Sequence, residues 1–518
     1  MAGTLDQALR GANKLEKSKR SSEALKLIEN ALSKWPNSPR LVERQQQLRL
    51  SIIKSDVDRE PPIFVKKRLA ELYKAAEWKH IIKIGSELVK LHPVSGFVLD
   101  LLAIAFRETG NLEKAEMLHR QSIASEPQNA AFYVNYSNTL RASQKAAESL
   151  TYLTKAVELN PGQTNRNLKR TIATAYNNLA GFFEDKAENS TVQSLYELAL
   201  AVDPEYADAK FNLGAEKLRK LEFGEGWRLR EYRLSQAMFM NQVEQFNTPA
   251  WDGQPTGKLF VWSEQGVGDE VMFASCFDEL LNFATEVIVS VNKRSLQLFQ
   301  RSFPRIRFVD KSVEPSEINY DDHIAAMSAL GFLRPSIESF KNVTPGYIKA
   351  DPLEIAEIRK TLFDGKSAQQ IVGVSWYSNA DRVGGRRTIS LEHLIEALPE
   401  NCILVNLQYG KVNKELRSLK KRIGRDVQIL PSMDITENLD SLASVIAACD
   451  RVVSIDNSTA HFAGSLNKKC DILLPYSAEW RWGQRGTELS YWYPSVRLHW
   501  QAKPGDWSGC LQSISSTF

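Results

Sequence analysis

Three stretches of this 518-residue chain place polar side chains between a strand-like run and a helix-like run. The first, SEQGVGDE at residues 263–270, follows the run KLFVW. Gly266 and Gly268 permit a tight turn and close approach of a ligand to the backbone. The stretch does not contain the GK[ST] sequence that neutralises a triphosphate. Asp269 is suited instead to accept a proton from a hydroxyl nucleophile, and the alternative is that it only caps the helix.

The second stretch, SIDNSTAHFAG, continues the strand-like run RVVSI. It brings Asp456 to the predicted sheet edge, and Asn457, Ser458 and Thr459 then open a helix. Hydroxyl groups and unpaired N–H groups at a helix start can bind a diphosphate. His461, one turn into the helix, can donate a hydrogen bond to the same ligand. The alternative is a helix cap followed by a buried, hydrogen-bonded histidine, and the local sequence supports both equally.

The third stretch, WYSNADRVGGRRT, follows the strand-like run IVGVSW. It contains two glycines and three arginines, Arg382, Arg386 and Arg387. This composition is typical of a flexible anion clamp, because a guanidinium matches phosphate geometry and keeps its charge when it is desolvated. A solvated basic loop is the alternative, but the position at a strand end favours phosphate binding.

The elements that must position these stretches form two similar series. From Leu259 onward, short β-rich runs alternate with helical runs, which is typical of βαβ units and a parallel sheet. The stretch TPGYIKADPLE separates the two series. We therefore predict two Rossmann-like domains that face each other, with ligands at the carboxyl ends of the strands.

The first 220 residues are organised differently. Prolines end similar amphipathic stretches, and Pro93, Pro127 and Pro161 are spaced 34 residues apart. A small residue stands five positions before most of these prolines, where two helices of a hairpin can cross closely. The pattern resembles the tetratricopeptide repeat over roughly residues 10 to 220, and such a solenoid implies a concave surface for a polypeptide. The alternative is an unrelated helical bundle.

These changes of pattern predict the domain boundaries. The predicted parts are tetratricopeptide-type helical repeats at 1–220, a helix and linker at 221–257, a first Rossmann-like domain at 258–365, a second at 366–495, and a C-terminal segment at 496–518 that packs back on both lobes.

Composition excludes several classes of function. The net charge is +4, from 66 basic and 62 acidic side chains, so little positive excess is available for a nucleic acid. The five cysteines are scattered and contain no CxxC pair, which argues against a zinc site or a disulfide scaffold and fits a reducing compartment. The N-terminus has no apolar signal region, and no run of about 18 apolar residues occurs. We predict a cytoplasmic protein without a transmembrane segment.

The three stretches, in this order and with a Trp-rich tail, resemble the heptosyltransferase-like GT-B glycosyltransferases. The matching segments are WSEQGVGDEVMFAS, GVSWYSNADRVGGRRTISL, VVSIDNSTAHFAGSL and EWRWG…YWYPSVRLHW…GDW. A common bacterial form of this family carries N-terminal tetratricopeptide repeats, and the junction FGEGWRLREYR is similar to its usual connecting segment. The resemblance implies an α solenoid followed by an α/β GT-B fold.

The resemblance also implies roles for individual residues. Asp269 aligns with the general base that deprotonates the acceptor hydroxyl. Arg386 or Arg387 takes the place of the basic residue that stabilises the leaving diphosphate, and Asn457 stands where threonine is usual. The residues implied to bind the nucleotide sugar are Gly266, Gly268, Asn379, Asp456, Asn457, Ser458, Thr459 and His461.

The implied reaction is sugar transfer from a nucleoside diphosphate to a hydroxyl, with inversion, by a hexosyl-, N-acetylhexosaminyl- or heptosyltransferase. A helix start and arginines can stabilise the leaving group without a metal or cofactor. The DxD triplet Asp56-Val57-Asp58 lies in the repeat region, far in sequence from the three stretches. By analogy with O-linked N-acetylglucosamine transferase, the repeats would present a protein acceptor and could support an oligomer. The alternatives are a glycan or lipid-linked acceptor, or a non-catalytic scaffold; Asp269, Asp456, His461 and the arginine pair argue against the scaffold.

Overall fold

The fold is given by a computed structural model with two compact units, Met1–Leu179 and Ala180–Phe518. The structure describes residues 5–18, 21–36, 38–55, 60–160, 165–185, 189–236, 239–240, 243, 245–364, 370–380, 384–431 and 433–518. The residues that the sequence singled out and that lie outside the described ones are Asp56, Val57, Asp58, Pro161 and Arg382.

The first unit is helical, and its helices pack mainly on their neighbours in sequence. This is the nearest-neighbour packing of a helical repeat array. Side chains cap several helix starts; for example, Ser95 and Asn111 accept hydrogen bonds from the backbone N–H groups of Val98 and Lys114. The helices, the last of which crosses the boundary between the units, are Leu5–Lys17, Ser21–Leu32, Pro39–Ser55, Ile63–Lys74, Trp78–Leu91, Gly96–Glu108, Leu112–Ser125, Ala130–Ala142, Ala146–Glu158 and Arg166–Asp185.

A left-handed residue ends the first helix of successive hairpins. Ala76, Gly110 and Gln144 have φ values of 54°, 84° and 63° and follow each other at the 34-residue interval of the prolines. The residue after each donates its N–H to a carbonyl five positions back, as in a Schellman motif. The hairpin of Ala207–Arg219 and Phe223–Arg230, in the second unit, turns in the same way at Leu221, with φ 64°. The segment FGEGWRLR is therefore the second helix of a hairpin of this type.

The second unit contains two parallel sheets, which confirms the parallel sheets predicted from the alternating runs. Within the described residues the first sheet has the order β3-β2-β1-β4 and the second β10-β9-β8-β5-β6-β7. The strands are β1 Thr256–Trp262, β2 Ala284–Val291, β3 Arg307–Asp310, β4 Asp322–Ala325, β5 Gln370–Ser375, β6 Cys402–Asn406, β7 Val427–Gln428, β8 Arg451–Ile455, β9 Cys470–Leu474 and β10 Val496–Trp500. The central strands β8 and β9 are buried along their whole length, as expected of strands covered on both faces.

Helices connect and cover these strands. After the hairpin at Leu221, the α-helices of the second unit are Val267–Phe273, Phe277–Leu280, Leu296–Ser302, Ala326–Leu333, Pro352–Phe363, Gly384–Arg387, Leu391–Glu396, Asn413–Ile423, Leu439–Ala448, Ser458–Ser465 and Ser508–Ser515. Its 3₁₀ turns are Glu231–Ser235, Ala274–Cys276, Lys293–Ser295, Pro315–Glu317, Ile337–Asn342 and Trp480–Trp482. Helix Asn189–Val202 precedes the hairpin in the same unit.

Two features lie at the predicted domain boundaries, which stay predictions. The compact units divide between Leu179 and Ala180, and the hairpin at Leu221 packs against the turn Trp480–Trp482 of the second unit. Residues 496–500, at the start of the predicted C-terminal segment, form β10 and pair in parallel with β9. A five-residue run does not reveal its pairing partner, because that partner is chosen by tertiary packing.

The topology brings the three predicted stretches to the reversal points of the two sheets. Chain order reverses at β5, whose neighbours are β6 and β8, and at β1, whose neighbours are β2 and β4. Ligands of open α/β sheets bind outside the carboxyl ends of strands at such points. The stretches follow β1, β5 and β8, so each of them leaves a sheet at a place where a ligand crevice is expected.

Candidate active site

We call the first sheet with the helices between its strands the first lobe, and the second sheet with its helices the second lobe. The two lobes meet where helix Val267–Phe273 packs against helix Ser458–Ser465. Gly268 makes the contact possible, since a β-carbon there would lie 3.2 Å from Cδ2 of His461 and 3.4 Å from Cα of Ser458. Gly266, two residues earlier, has only the Oδ2 atom of Asp269 near its missing β-carbon, at 3.9 Å. The first and second predicted stretches are therefore in direct contact, and Gly268 lies at the contact itself.

Asp269 forms an ion pair with Arg481, across the boundary between the two sheets. Nε of Arg481 donates to Oδ1 of Asp269 at 3.0 Å, and Nη2 donates to the same oxygen. The helix start at Gly266 receives no side-chain cap. Asp269 thus does not cap its helix; it is held by a cation from the other lobe.

Glu479 continues this contact into the second lobe. Nη1 of Arg481 lies 3.5 Å from Oε2 of Glu479, and Nη2 of Arg387 donates to Oε1 of Glu479 at 2.8 Å. Nη1 of Arg387 donates to the backbone carbonyl of Asp456 at 3.2 Å, and Nε lies 3.3 Å from Oδ2 of Asp456. Asp269, Arg481, Glu479, Arg387 and Asp456 form one continuous chain of charges, which we call the charge chain.

The charge chain is electrostatically balanced around Glu479. Burial raises the pKa of Glu479, but the nearby Arg481, Arg387, Arg219 and Arg230 outweigh burial and hold the pKa below its ordinary value. Burial lowers the pKa of Arg481, and the carboxylates of Asp269 and Glu479 reverse that effect and raise it. Both groups therefore stay charged in the neutral pH range.

Asp456 and Asn457 direct their side chains into the protein. Oδ1 of Asp456 accepts a hydrogen bond from Nε1 of Trp482 at 2.8 Å, and only 3% of the Asp456 side chain is exposed. Oδ1 of Asn457 accepts from the backbone N–H of Thr459 at 3.0 Å, and its Nδ2 donates to Oγ of Ser375 at 2.8 Å. These contacts fix the turn, and the contact of both side chains with the donor stays a prediction.

Ser458 is the partly exposed residue at this helix start, whereas Thr459 is buried. Oγ1 of Thr459 donates to the carbonyl of Leu407 at 3.4 Å, which ties the helix start to the end of β6. Asn379 is exposed, and its backbone N–H donates to the hydroxyl of Tyr409 at 3.0 Å. Arg386, which has partners of its own, makes none of the contacts of the charge chain described above.

His461 is buried beneath the charge chain. Its Nδ1 lies 3.0 Å from the hydroxyl of Tyr493, and its ring stacks on Trp482 with centroids 5.0 Å apart. Burial, then the positive charges of Arg481 and Arg387, lower the pKa of His461 to about 3. His461 is thus buried and hydrogen-bonded, its contact with a donor stays a prediction, and its low pKa favours the neutral ring near pH 7.

A cavity of about 400 Å³ opens at the carboxyl ends of β6 and β7. Gln408 lines it, and Oε1 of Gln408 accepts hydrogen bonds from Oγ of Ser375 at 2.9 Å and from the backbone N–H of Trp376 at 2.9 Å. Because Ser375 also contacts Asn457, the wall of the cavity is connected to the helix start of the second stretch. Other lining residues are Asn406, Leu430, Asp434, Ile435 and Thr436.

Sequence reasoning missed the central part of the charge chain. Glu479 and Arg481 belong to the segment EWRWG, which was noted for its tryptophans and not for its charges. Two opposite charges that alternate with two tryptophans are a usable signal, because buried charges need partners. Within the part of the chain that the structure describes, no group of three or more His, Cys, Asp or Glu side chains is arranged to hold a metal ion. None of the described helices combines the length and hydrophobicity that a membrane span requires.

The sequence and structure were compared with those of known proteins. No family model matches the chain. Protein FlbA of Caulobacter vibrioides is 28% identical over 443 residues, which cover 80% of this chain and 71% of FlbA. A glycosyl transferase family 9 structure from Veillonella parvula superposes with a TM-score of 0.35 at 11% identity, over 52% of this chain and 93% of that one. YrrB, described as a TPR protein with an unusual peptide-binding site, gives 0.26 at 14%, over 38% and 96%. None of these similarities assigns a family to the chain.

Proposed function

We propose that the chain transfers a sugar from a nucleoside diphosphate to an acceptor hydroxyl, using a GT-B arrangement of its two parallel-sheet lobes. The observation that carries this proposal is the charge chain, which links the carboxylate of Asp269 on the first lobe to Arg387 on the second. Both residues lie beyond the carboxyl ends of strands, where ligands of such sheets bind.

The second lobe is proposed to hold the donor. The nucleoside would occupy the cavity of about 400 Å³ beside β6 and β7, whose lining residue Gln408 is linked through Ser375 to Asn457. The diphosphate would lie at the start of helix Ser458–Ser465, where the helix dipole favours an anion. Arg387 reaches the same turn and would add forked hydrogen bonds to phosphate oxygens. Asn457 and Asp456 would act by holding this turn and Arg387 in place.

The transfer step is proposed to need one base and one stabilised leaving group. The acceptor oxygen attacks the anomeric carbon, the bond from that carbon to the diphosphate oxygen breaks, and the diphosphate leaves with the electron pair. The acceptor proton passes to the carboxylate of Asp269. Arg387 and the helix start stabilise the charge that develops on the diphosphate, a task that needs no metal. His461, neutral and buried, supports Gly268 and Trp482 and does not exchange protons.

Binding of the donor is tested with a panel of UDP-, ADP-, GDP- and dTDP-sugars in metal-free buffer, by thermal shift and isothermal titration. We expect one nucleotide class to stabilise the protein. No response to any nucleotide would favour the non-catalytic scaffold.

The base is tested with Asp269→Asn, which we expect to abolish transfer while donor binding persists. Asp278→Asn is the matched control, because Asp278 is an exposed carboxylate of the same lobe whose partner is Arg305, 3.4 Å away. Transfer by Asp269→Asn at a rate near that of the wild type would exclude Asp269 as the base.

The acceptor is proposed to be a polypeptide presented by the helical repeats. The support is the repeated hairpin of the first unit, with left-handed turn residues at Ala76, Gly110 and Gln144, since stacked hairpins of this kind offer an extended binding surface. Mass spectrometry after incubation with donor and candidate proteins tests this acceptor class. An unchanged protein mass together with a modified glycan or lipid-linked saccharide would favour the alternative acceptor.

A further inference from the structure

The two arginines of the charge chain are held in different ways. All of the Arg387 contacts described above, with Asp456 and Glu479, lie within the second lobe. Arg481 contacts Glu479 in its own lobe and Asp269 in the other. A change in the distance between the lobes therefore breaks the contact of Arg481 with Asp269 and leaves Arg387 as it is.

The two guanidinium groups of the charge chain are both paired with carboxylates, so a diphosphate placed beside it has to compete with those carboxylates. The phosphate oxygens also need N–H donors, and Nε and Nη2 of Arg481 are both engaged by Oδ1 of Asp269. A diphosphate that takes these two donors displaces the carboxylate of Asp269 from Arg481.

Asp269 is the carboxylate that can be displaced most easily. Its side chain is 19% exposed, whereas that of Asp456 is 3% exposed and is also held by Trp482. Glu479 is 34% exposed, but it contacts both arginines of the charge chain, so its displacement breaks two ion pairs, whereas displacement of Asp269 breaks one. Asp269 loses one ion pair and turns toward solvent or toward an acceptor hydroxyl.

We propose that Asp269 and the donor diphosphate compete for Arg481, so that donor binding releases the carboxylate of Asp269 for its role as base. This inference rests on the proposed function. Arg481 then binds the diphosphate together with Arg387, and Asp269 becomes available only in the donor complex. Binding is consequently ordered, with the donor first, and the enzyme without donor keeps its base neutralised by an ion pair.

The test measures binding of UDP, ADP, GDP and dTDP to the full chain by isothermal titration. Competition predicts that Asp269→Asn binds the preferred diphosphate about tenfold more tightly than the wild type, since one charge-assisted hydrogen-bond partner no longer has to be displaced. Arg481→Gln is expected to bind about tenfold more weakly. Structural damage does not mimic the first result, because damage weakens binding.

The double variant Asp269→Asn/Arg481→Gln separates competition from a general charge effect. Under competition, removal of Asp269 has no effect once Arg481 is gone; a general charge effect would tighten binding equally in both backgrounds and overturn the proposal. Asp278→Asn controls for loss of a carboxylate, and Arg485→Gln controls for loss of an exposed arginine of the same tail, which stacks on Tyr476. If Asp269→Asn does not fold, Asp269→Ser replaces it, and folding is checked by near-UV circular dichroism.

The outcomes also distinguish the two proposals. Wild-type binding with unchanged affinity in Asp269→Asn overturns the competition and leaves the proposed function standing. No binding of any diphosphate to the wild type overturns the proposed function and this inference with it.

Discussion

Replacement of Glu479 by glutamine tests the electrostatic account of the charge chain. The substitution keeps the size of the side chain and removes the carboxylate that Arg387 and Arg481 share. Loss of one partner of a buried ion pair costs about 3–5 kcal/mol of stability. Because 34% of the Glu479 side chain is exposed, solvent screening reduces this, and we expect the free energy of unfolding of the second unit to fall by about 2 kcal/mol at pH 7.

The pH dependence of this difference identifies its cause. The arginines lower the pKa of Glu479 in the folded state. The stabilisation that its carboxylate contributes is therefore fully present above the pKa of the unfolded chain, about 4.3, and is lost as the pH falls through the pKa of the folded state. The difference in the free energy of unfolding between the wild type and Glu479→Gln should therefore shrink steadily below about pH 4.3.

Urea denaturation between pH 7 and pH 3.5, followed by tryptophan fluorescence, measures this difference, since Trp480 and Trp482 flank the ion pairs. Thr487→Val, at a half-buried position of the same tail, serves as the comparison for a neutral change. A difference of equal size at every pH would refute the electrostatic account and indicate a packing defect, and no difference at pH 7 would refute the ion pairs themselves.

Three further predictions concern other parts of the two units. Gly268→Ala should lower the free energy of unfolding by about 1–3 kcal/mol and reduce transfer, because its β-carbon crowds His461, whereas Gly266→Ala should be tolerated; chemical denaturation compares the two. The imidazole NMR signals of His461 should not titrate between pH 5 and pH 8, since its folded pKa is about 3. Because the unfolded chain takes up the proton first, acidification below about pH 6.5 should destabilise the wild type more than it destabilises His461→Gln. Gly110→Ala should cost the first unit about 1 kcal/mol in urea denaturation, because φ is 84° and no neighbouring atom obstructs a β-carbon, whereas Gly509→Ala, in a helix with open space around it, should not destabilise.

The architecture follows from short-range patterns in the sequence. The 34-residue interval of the prolines reappears as the interval between the left-handed residues Ala76, Gly110 and Gln144, because both mark fixed positions of one repeated hairpin. Alternating β-rich and helical runs predicted parallel sheets, since a parallel strand pair requires a crossover connection. The last hairpin escaped prediction because Leu221 is an unusual residue for a left-handed turn and gives no glycine signal.

The location of the candidate site was also predictable, whereas its internal contacts were not. Parallel strands end at a common edge, so polar stretches after β1, β5 and β8 had to lie at sheet edges whatever their side chains did. The direction of each side chain depends on tertiary contacts. His461 illustrates this, because its burial is caused by Trp482 and Tyr493, which follow it by more than twenty residues.

The ion pair of Asp269 with Arg481 shows why a matched motif does not by itself define a catalytic state. The two residues are separated by 212 positions in the chain, so no local pattern links them. An aspartate after a glycine-rich turn predicts a base, and it is compatible equally with a free carboxylate and with one held by a cation. The structure has the second condition, which means that the chemistry assigned to Asp269 requires a change of partner. Catalysis in this chain would then depend on Arg481 as much as on the residues that the motif contains.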